Sequence, residues 1–176
     1  MQEEFDIDVD WRGFELHPET KPGGILVEKL LGTKRAEGFF TYLKRFAADF
    51  DVPVESPKRV PNTRKSLAIT EYARELGKLE AFRDAVMEAH WLEGKDIESD
   101  TDLGELAERI GLDSKDALSA GDDPIFLGRV DAAREEAQGR KVTVLPTLIL
   151  GDFRVVGCQS YDSILKKTKK AGLQRR

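Results

Sequence analysis

Few residues in this sequence offer chemistry, and sulfur is the scarcest of them. A single cysteine, Cys158, stands among 176 residues, so the chain on its own makes no intramolecular disulfide, no cysteine-based zinc cluster and no two-thiol redox cycle. Cys158 has two readings. The one favoured is a small buried residue, because no resolving thiol accompanies it; the other is a reactive thiol acidified by amide donors ahead of the last helix. The two histidines, His17 and His90, are far apart and form no ligand set with one Cys, so no metal is expected. Glu93, Asp96 and Asp100 are spaced as an acid-base set would be, yet Gly94 marks a helix end there and solvated charge is the ordinary explanation. Asn62 precedes a helical pattern and reads as a cap for it.

Charge narrows the partners. The formal net charge is −5, yet Lys166, Lys167, Lys169, Lys170, Arg175 and Arg176 crowd the C-terminus without an acid among them. Cations at a helix C-terminus meet the macrodipole favourably, and an acidic body repels phosphates, so no nucleic acid is expected as a partner. No apolar run reaches the ~18 residues of a membrane span, and the acidic start lacks a signal-peptide pattern, so no membrane partner and a cytoplasmic location are expected.

The elements that must position these residues follow from periodicity. Phe5, Ile7, Val9 and Trp11 alternate with Asp6, Asp8, Asp10 and Arg12, the period of a strand with one wet face, and the strand is drawn over Phe5 to Phe14. Trp11 and Phe14 are assigned to the core. Phe39, Leu43, Phe46, Ala47 and Phe50 line one helix face that must dock on something apolar. Val52 to Pro61 is an extended connector, with Pro53, Pro57 and Pro61.

From Asn62 the pattern turns helical. Faces are marked by Ile69, Tyr72, Ala73 and Leu76, then by Leu79, Phe82, Val86 and Ala89, with Gly77 between. Further helices are predicted over Asp102 to Ile110, Ser114 to Ala120 and Asp123 to Gln138, the last stopped by Gly139. Thr147 to Leu150 and Phe153 to Val156, joined by Gly151-Asp152, form an antiparallel hairpin. A final helix starts near Tyr161, with Ser160 as its N-cap and Ile164 and Leu165 inward.

Pro146 opens an otherwise apolar strand, where it cannot donate to a ladder. The passage Val144-Leu145-Pro146-Thr147-Leu148-Ile149-Leu150-Gly151-Asp152-Phe153 resembles the cis-proline hairpin of the thioredoxin fold. Val9-Asp10-Trp11-Arg12-Gly13-Phe14-Glu15-Leu16-His17-Pro18-Glu19, Pro61-Asn62-Thr63 and Glu93-Gly94-Lys95-Asp96-Ile97 resemble the DsbA-like family, particularly its cytoplasmic FrnE-type branch. The similarity covers about residues 4 to 170. The run Val156-Gly157-Cys158-Gln159-Ser160-Tyr161 is closer to the Gly-Ala-Gln-Pro-Tyr-like run of that branch than to the Trp-Gly-Gln-Asp-Arg-like run of glutathione-dependent isomerases and kappa-class transferases.

The resemblance implies an α/β fold: a thioredoxin-like part from residues 1–61 and 140–176, with a helical insertion over 62–139. It implies a thiol-disulfide oxidoreductase or disulfide isomerase acting on disulfide-containing proteins, with Leu145 and Pro146 binding the substrate strand. In the glutathione-using relatives an Asn near Asn62 approaches the cofactor, which keeps glutathione open as a ligand here. The family places a strand and a Cys-x-x-Cys helix ahead of the segment matching Met1 to Glu4. Neither is found in this sequence, so it is expected to be truncated, without catalytic residues and inactive as it stands. A glutathione-dependent isomerase or transferase, and a non-catalytic thioredoxin-like binding module assembling as a homodimer, are the alternatives.

Overall fold

A computed structural model describes residues 2–176. They divide into two compact units, one made of the residues up to Leu16 together with Ala133–Arg176, the other of His17–Ala132.

The second unit opens with β1 (Ile25–Leu26), α1 (Val27–Leu31) and α2 (Thr33–Ala48), and β1 pairs antiparallel with β2 (Arg59–Val60). The expected aromatic face of α2 docks only in part. Ala36 and Ala47 are buried, while Phe39 and Phe50 stay 45% and 53% exposed. Length explains this: α2 packs against α1, and five residues span roughly 7.5 Å against roughly 24 Å for the sixteen of α2. The outer rings cover one another instead, with Phe46 5.9 Å from Tyr42 and 5.3 Å from Phe50, centroid to centroid.

Four helices then build the main core: α3 (Arg64–Glu75), α4 (Leu79–Glu88), α5 (Asp100–Arg109) and α6 (Ser114–Asp122), with a π-helical turn over Ala89–Glu93. Ile69, Phe82, Leu103 and Leu106 are fully buried among small residues, including Ala73, Ala107 and Ala117. The small residues let helix axes come close. A Cβ on Gly104 would lie 2.5 Å from Ser114 Oγ, and one on Gly121 2.8 Å from Lys65 Cγ, so neither position has room for a side chain. Gly77, at φ 67°, supplies the left-handed turn after α3.

Helix α7 (Pro124–Gly139) follows, and its stop differs from the one expected at Gly139. The left-handed residue is Lys141, at φ 54°. Lys141 N donates to Gln138 O at 2.8 Å and Val142 N to Ala137 O at 2.8 Å, the paired bonds of a Schellman cap. A lysine thus holds a position that glycine fills at less cost, by roughly 1–2 kcal/mol.

The first unit contains β3 (Thr147–Leu150), β4 (Phe153–Val156) and α8 (Tyr161–Lys170). The hairpin register runs from Thr147 opposite Val156 to Leu150 opposite Phe153, as the sequence predicts. Ser160 caps α8, its side chain accepting from Ser163 N at 3.3 Å. Ile164 and Leu165 are half-buried, and Thr168 is buried outright, donating to Ile164 O at 2.9 Å.

The strand expected over Phe5 to Phe14 is not formed. Phe5 makes an isolated antiparallel bridge to Arg175, and residues 6–15 run without a ladder. The alternation still sets sides, since Ile7 and Val9 are half-buried and Asp6, Asp8 and Asp10 exposed. A ladder needs a neighbour as well as a pattern, and among the described residues none lies alongside. Trp11, assigned to the core, is 45% exposed, and Phe14 is half-buried. The chain ends are held together: Arg176 N donates to Glu4 O at 2.9 Å, while the Glu4 carboxylate accepts from the Tyr161 hydroxyl and the Arg175 guanidinium. The Tyr161 hydroxyl, then Arg175, hold the Glu4 carboxyl below its ordinary pKa.

Candidate functional site

In the first unit the chain reaches β3 through Val144 and Leu145, which are 45% and 44% exposed. The Leu145–Pro146 peptide is cis. Two hydrogen bonds fix the bend. Thr147 Oγ1 donates to Val144 O at 2.6 Å, and Gly157 N donates to Pro146 O at 2.8 Å, closing the open end of the hairpin. Gly157, at φ 71°, turns the chain away after β4. Among the described residues β3 pairs with β4. The exposed backbone just ahead of Pro146 is where an extended peptide can make main-chain hydrogen bonds.

Cys158 follows Gly157 directly and is exposed, which corrects the expectation of a buried residue. The turn at Gly157 is the cause, because Cys158 falls between β4 and α8 and belongs to neither. The structure therefore brings Leu145, Pro146 and Cys158 to the same end of one hairpin.

Asn62 lies in the second unit, where it ties three segments together. Its Nδ2 donates to Thr20 O at 2.7 Å, its Oδ1 accepts from Arg64 N at 2.9 Å, and its own amide donates to Glu98 Oε1 at 2.8 Å. The cap on α3 thus comes from one residue further out than the N-cap position, which Thr63 occupies without a side-chain bond. Glu98 Oε2 also accepts from Gly23 N at 2.7 Å. Gly24, at φ 64°, is required beside it, because a Cβ there would lie 2.6 Å from Val60 O.

Asn62, Arg64, Lys65, Glu98 and Asp122 line a groove of about 320 Å³. Its charges are paired. Arg64 makes a two-pronged bond to Asp131 at 2.9 and 2.8 Å, and Lys65 holds Asp100 at 2.7 Å and Asp122 at 2.8 Å. Burial pulls the Lys65 pKa down, but the bonds to Asp100 and Asp122 outweigh it and leave the ammonium above its ordinary value. These are structural ties. Replacing Asn62 with Ala removes the cap and the Thr20 bond, and the stability loss expected is ~1–2 kcal/mol. Urea unfolding reads it directly; an unchanged midpoint would remove Asn62 from this role.

The other residues singled out in the sequence do not converge. Glu93 bonds Arg109 at 2.8 Å, Asp96 Oδ1 accepts from Glu98 N at 3.0 Å and Asp100 holds Lys65, so the three carboxylates serve three separate contacts. His17 Nδ1 stands 3.2 Å from Glu19 Oε1. His90 is half-buried against Trp91, and burial pushes its pKa down. Glu98 escaped the sequence reading altogether. Its partners lie 75 and 36 residues away, and no local pattern encodes such a bond.

Comparison with known proteins agrees with the hairpin and the helical block. The Bacillus subtilis (strain 168) protein YwbO is 25% identical over 160 residues, covering 89% of this chain and 78% of YwbO. The crystal structure of a probable DsbA oxidoreductase from Streptomyces coelicolor superposes with a TM-score of 0.80 at 23% identity, over 92% of this chain and 74% of that one. The model of the DSBA-like thioredoxin domain matches residues 1–169. With that match over nearly its whole length, the chain belongs to the DsbA-like thioredoxin family.

Proposed function

We propose that this chain is the substrate-docking part of a thiol-disulfide oxidoreductase or disulfide isomerase of the FrnE-type branch, working in the cytoplasm on disulfide-containing proteins. The observation that carries the proposal is the exposed bend at Leu145 and Pro146, held by Thr147 Oγ1 on Val144 O and by Gly157 N on Pro146 O. An extended client segment pairs with the backbone of Leu145. Backbone pairing gives affinity without demanding one client sequence, which suits an enzyme that must accept many disulfides.

In this reading residues 62–139 form a helical insertion between the thioredoxin-like segments 1–61 and 140–176. Leu145 and Pro146 hold the client strand, and the pair of thiols that exchanges electrons with it is not among these residues, which hold Cys158 alone. Cys158, exposed at the same end of the hairpin, is open to one mixed disulfide with a docked client but has no partner here to resolve it. No helix among the described residues is long and apolar enough to cross a membrane.

Glutathione is the competing ligand, through Asn62. Both ends of the Asn62 side-chain amide are already engaged, by Thr20 and Arg64, which weighs against it. Isothermal titration separates the two. A reduced, unfolded client peptide is expected to give a saturable heat and glutathione none; the opposite result would move the function to the glutathione-using relatives.

A further inference from the structure

Helix α8 ends in Lys166, Lys167, Lys169 and Lys170, and the helix dipole accounts for cations in such a place. It does not account for two more that the fold brings to the same spot. Lys167 Nζ donates to Arg154 O at 3.3 Å, and Arg154 Nη1 donates to Lys141 O at 2.9 Å. One continuous patch therefore runs from the end of α7 across β4 to the last turn of α8. Lys141, Arg154, Lys166, Lys169 and Lys170 are exposed and Lys167 half-buried.

Among the described residues none of these six cations forms an ion pair. Nearby Arg140 pairs with Glu136 at 3.2 Å and Arg176 with Asp6 at 3.8 Å, whereas the carboxylates flanking the patch in sequence, Asp152 and Asp162, pair with none of the six. Lys141 adds a second sign. It occupies a left-handed position where Gly is easier to place, and it puts a charged side chain there instead.

We infer that this patch is a docking surface for a short acidic segment, rich in Asp and Glu, of a partner protein. Size and charge balance choose that partner. The chain carries −5, so setting these six cations aside leaves −11 for the rest. A bilayer or a long nucleic acid spreads its charge well past the patch and meets that excess. A short acidic segment stays within the screening length of ~8–10 Å and feels the cations alone. The inference is independent of any disulfide chemistry.

Fluorescence anisotropy of a short labelled oligoglutamate peptide with the full chain tests it. Saturable binding that weakens with salt is expected. The triple variant Lys166→Gln, Lys167→Gln, Lys170→Gln should bind about tenfold more weakly, at about two- to threefold for each exposed ion pair lost. The control Lys29→Gln, Lys34→Gln, Lys58→Gln, on the other unit, should bind as the parent does. Lys141→Gly separates binding from folding, because it should raise the melting temperature while weakening the peptide about two- to threefold. The inference is overturned by absence of saturable binding, by a triple variant that binds like the parent, or by tighter binding of an oligothymidylate of equal charge or of phosphatidylserine vesicles.

Discussion

Insulin reduction by dithiothreitol is expected to proceed at the uncatalysed rate in the presence of these 176 residues, which hold one cysteine. Catalytic turnover takes two thiols. The first, as thiolate, attacks a client sulfur and releases the other client sulfur as thiolate; the second attacks the mixed disulfide, frees the client and leaves the enzyme oxidised. Cys158 can take the first step and not the second, so on its own it stops at one equivalent of mixed disulfide, and an added thiol that resolves it does no more than reduce the client directly. Its exposure makes that single step accessible without making it catalytic. The precipitation rate with the parent chain should match that with Cys158→Ser. Robust turnover by the parent, lost in Cys158→Ser, would show that one thiol at this hairpin is a sufficient catalyst and would overturn this account.

Phe82→Ala is expected to cost the helical unit ~3–5 kcal/mol, a large share of the ~5–15 kcal/mol that keeps a domain folded. Phe82 is fully buried, on α4, in a cluster with Ile69, Leu103 and Leu106. The cavity cannot collapse cheaply. The surrounding positions already hold small residues, and side-chain atoms of Ser114 and Lys65 fill the space beside Gly104 and Gly121. Loss of helical circular dichroism at lower urea checks this. Leu76→Ala serves as the comparison, since Leu76 is 49% exposed and its truncation should move the midpoint little.

Local patterns carried much of this fold. The hairpin needed two apolar runs and Gly151-Asp152 between them, and its strands occupy the residues predicted. Ser160 before α8 and Gly77 after α3 were likewise readable, because caps and left-handed turns depend on single residue types. What failed was non-local. The alternation from Phe5 to Trp11 encodes which side chains face inward, but a ladder partner is a property of another segment. Gly139 looked like the stop for α7, whereas the Schellman bonds fall two residues later and Lys141 bears the left-handed backbone.

The site was legible to a similar degree. Leu145 and Pro146 stood out because a proline opening an apolar strand demands a reason. Cys158 was misplaced, since a small residue after a strand gives no clue to whether the turn faces water. The tie between Glu98, Gly23 and Asn62, like the meeting of Lys141, Arg154 and Lys167, joins residues that sequence spacing keeps apart.

An extended client pairs with the backbone at Leu145, just ahead of Pro146. Residue-resolved amide hydrogen exchange, with and without an excess of a reduced, unfolded peptide, reads this at the bend itself. New protection is expected at Val144 and Leu145, with the helices α3 to α6 unchanged. Protection confined to the groove beside Asn62, or none at Leu145 at saturating peptide, refutes docking at this bend.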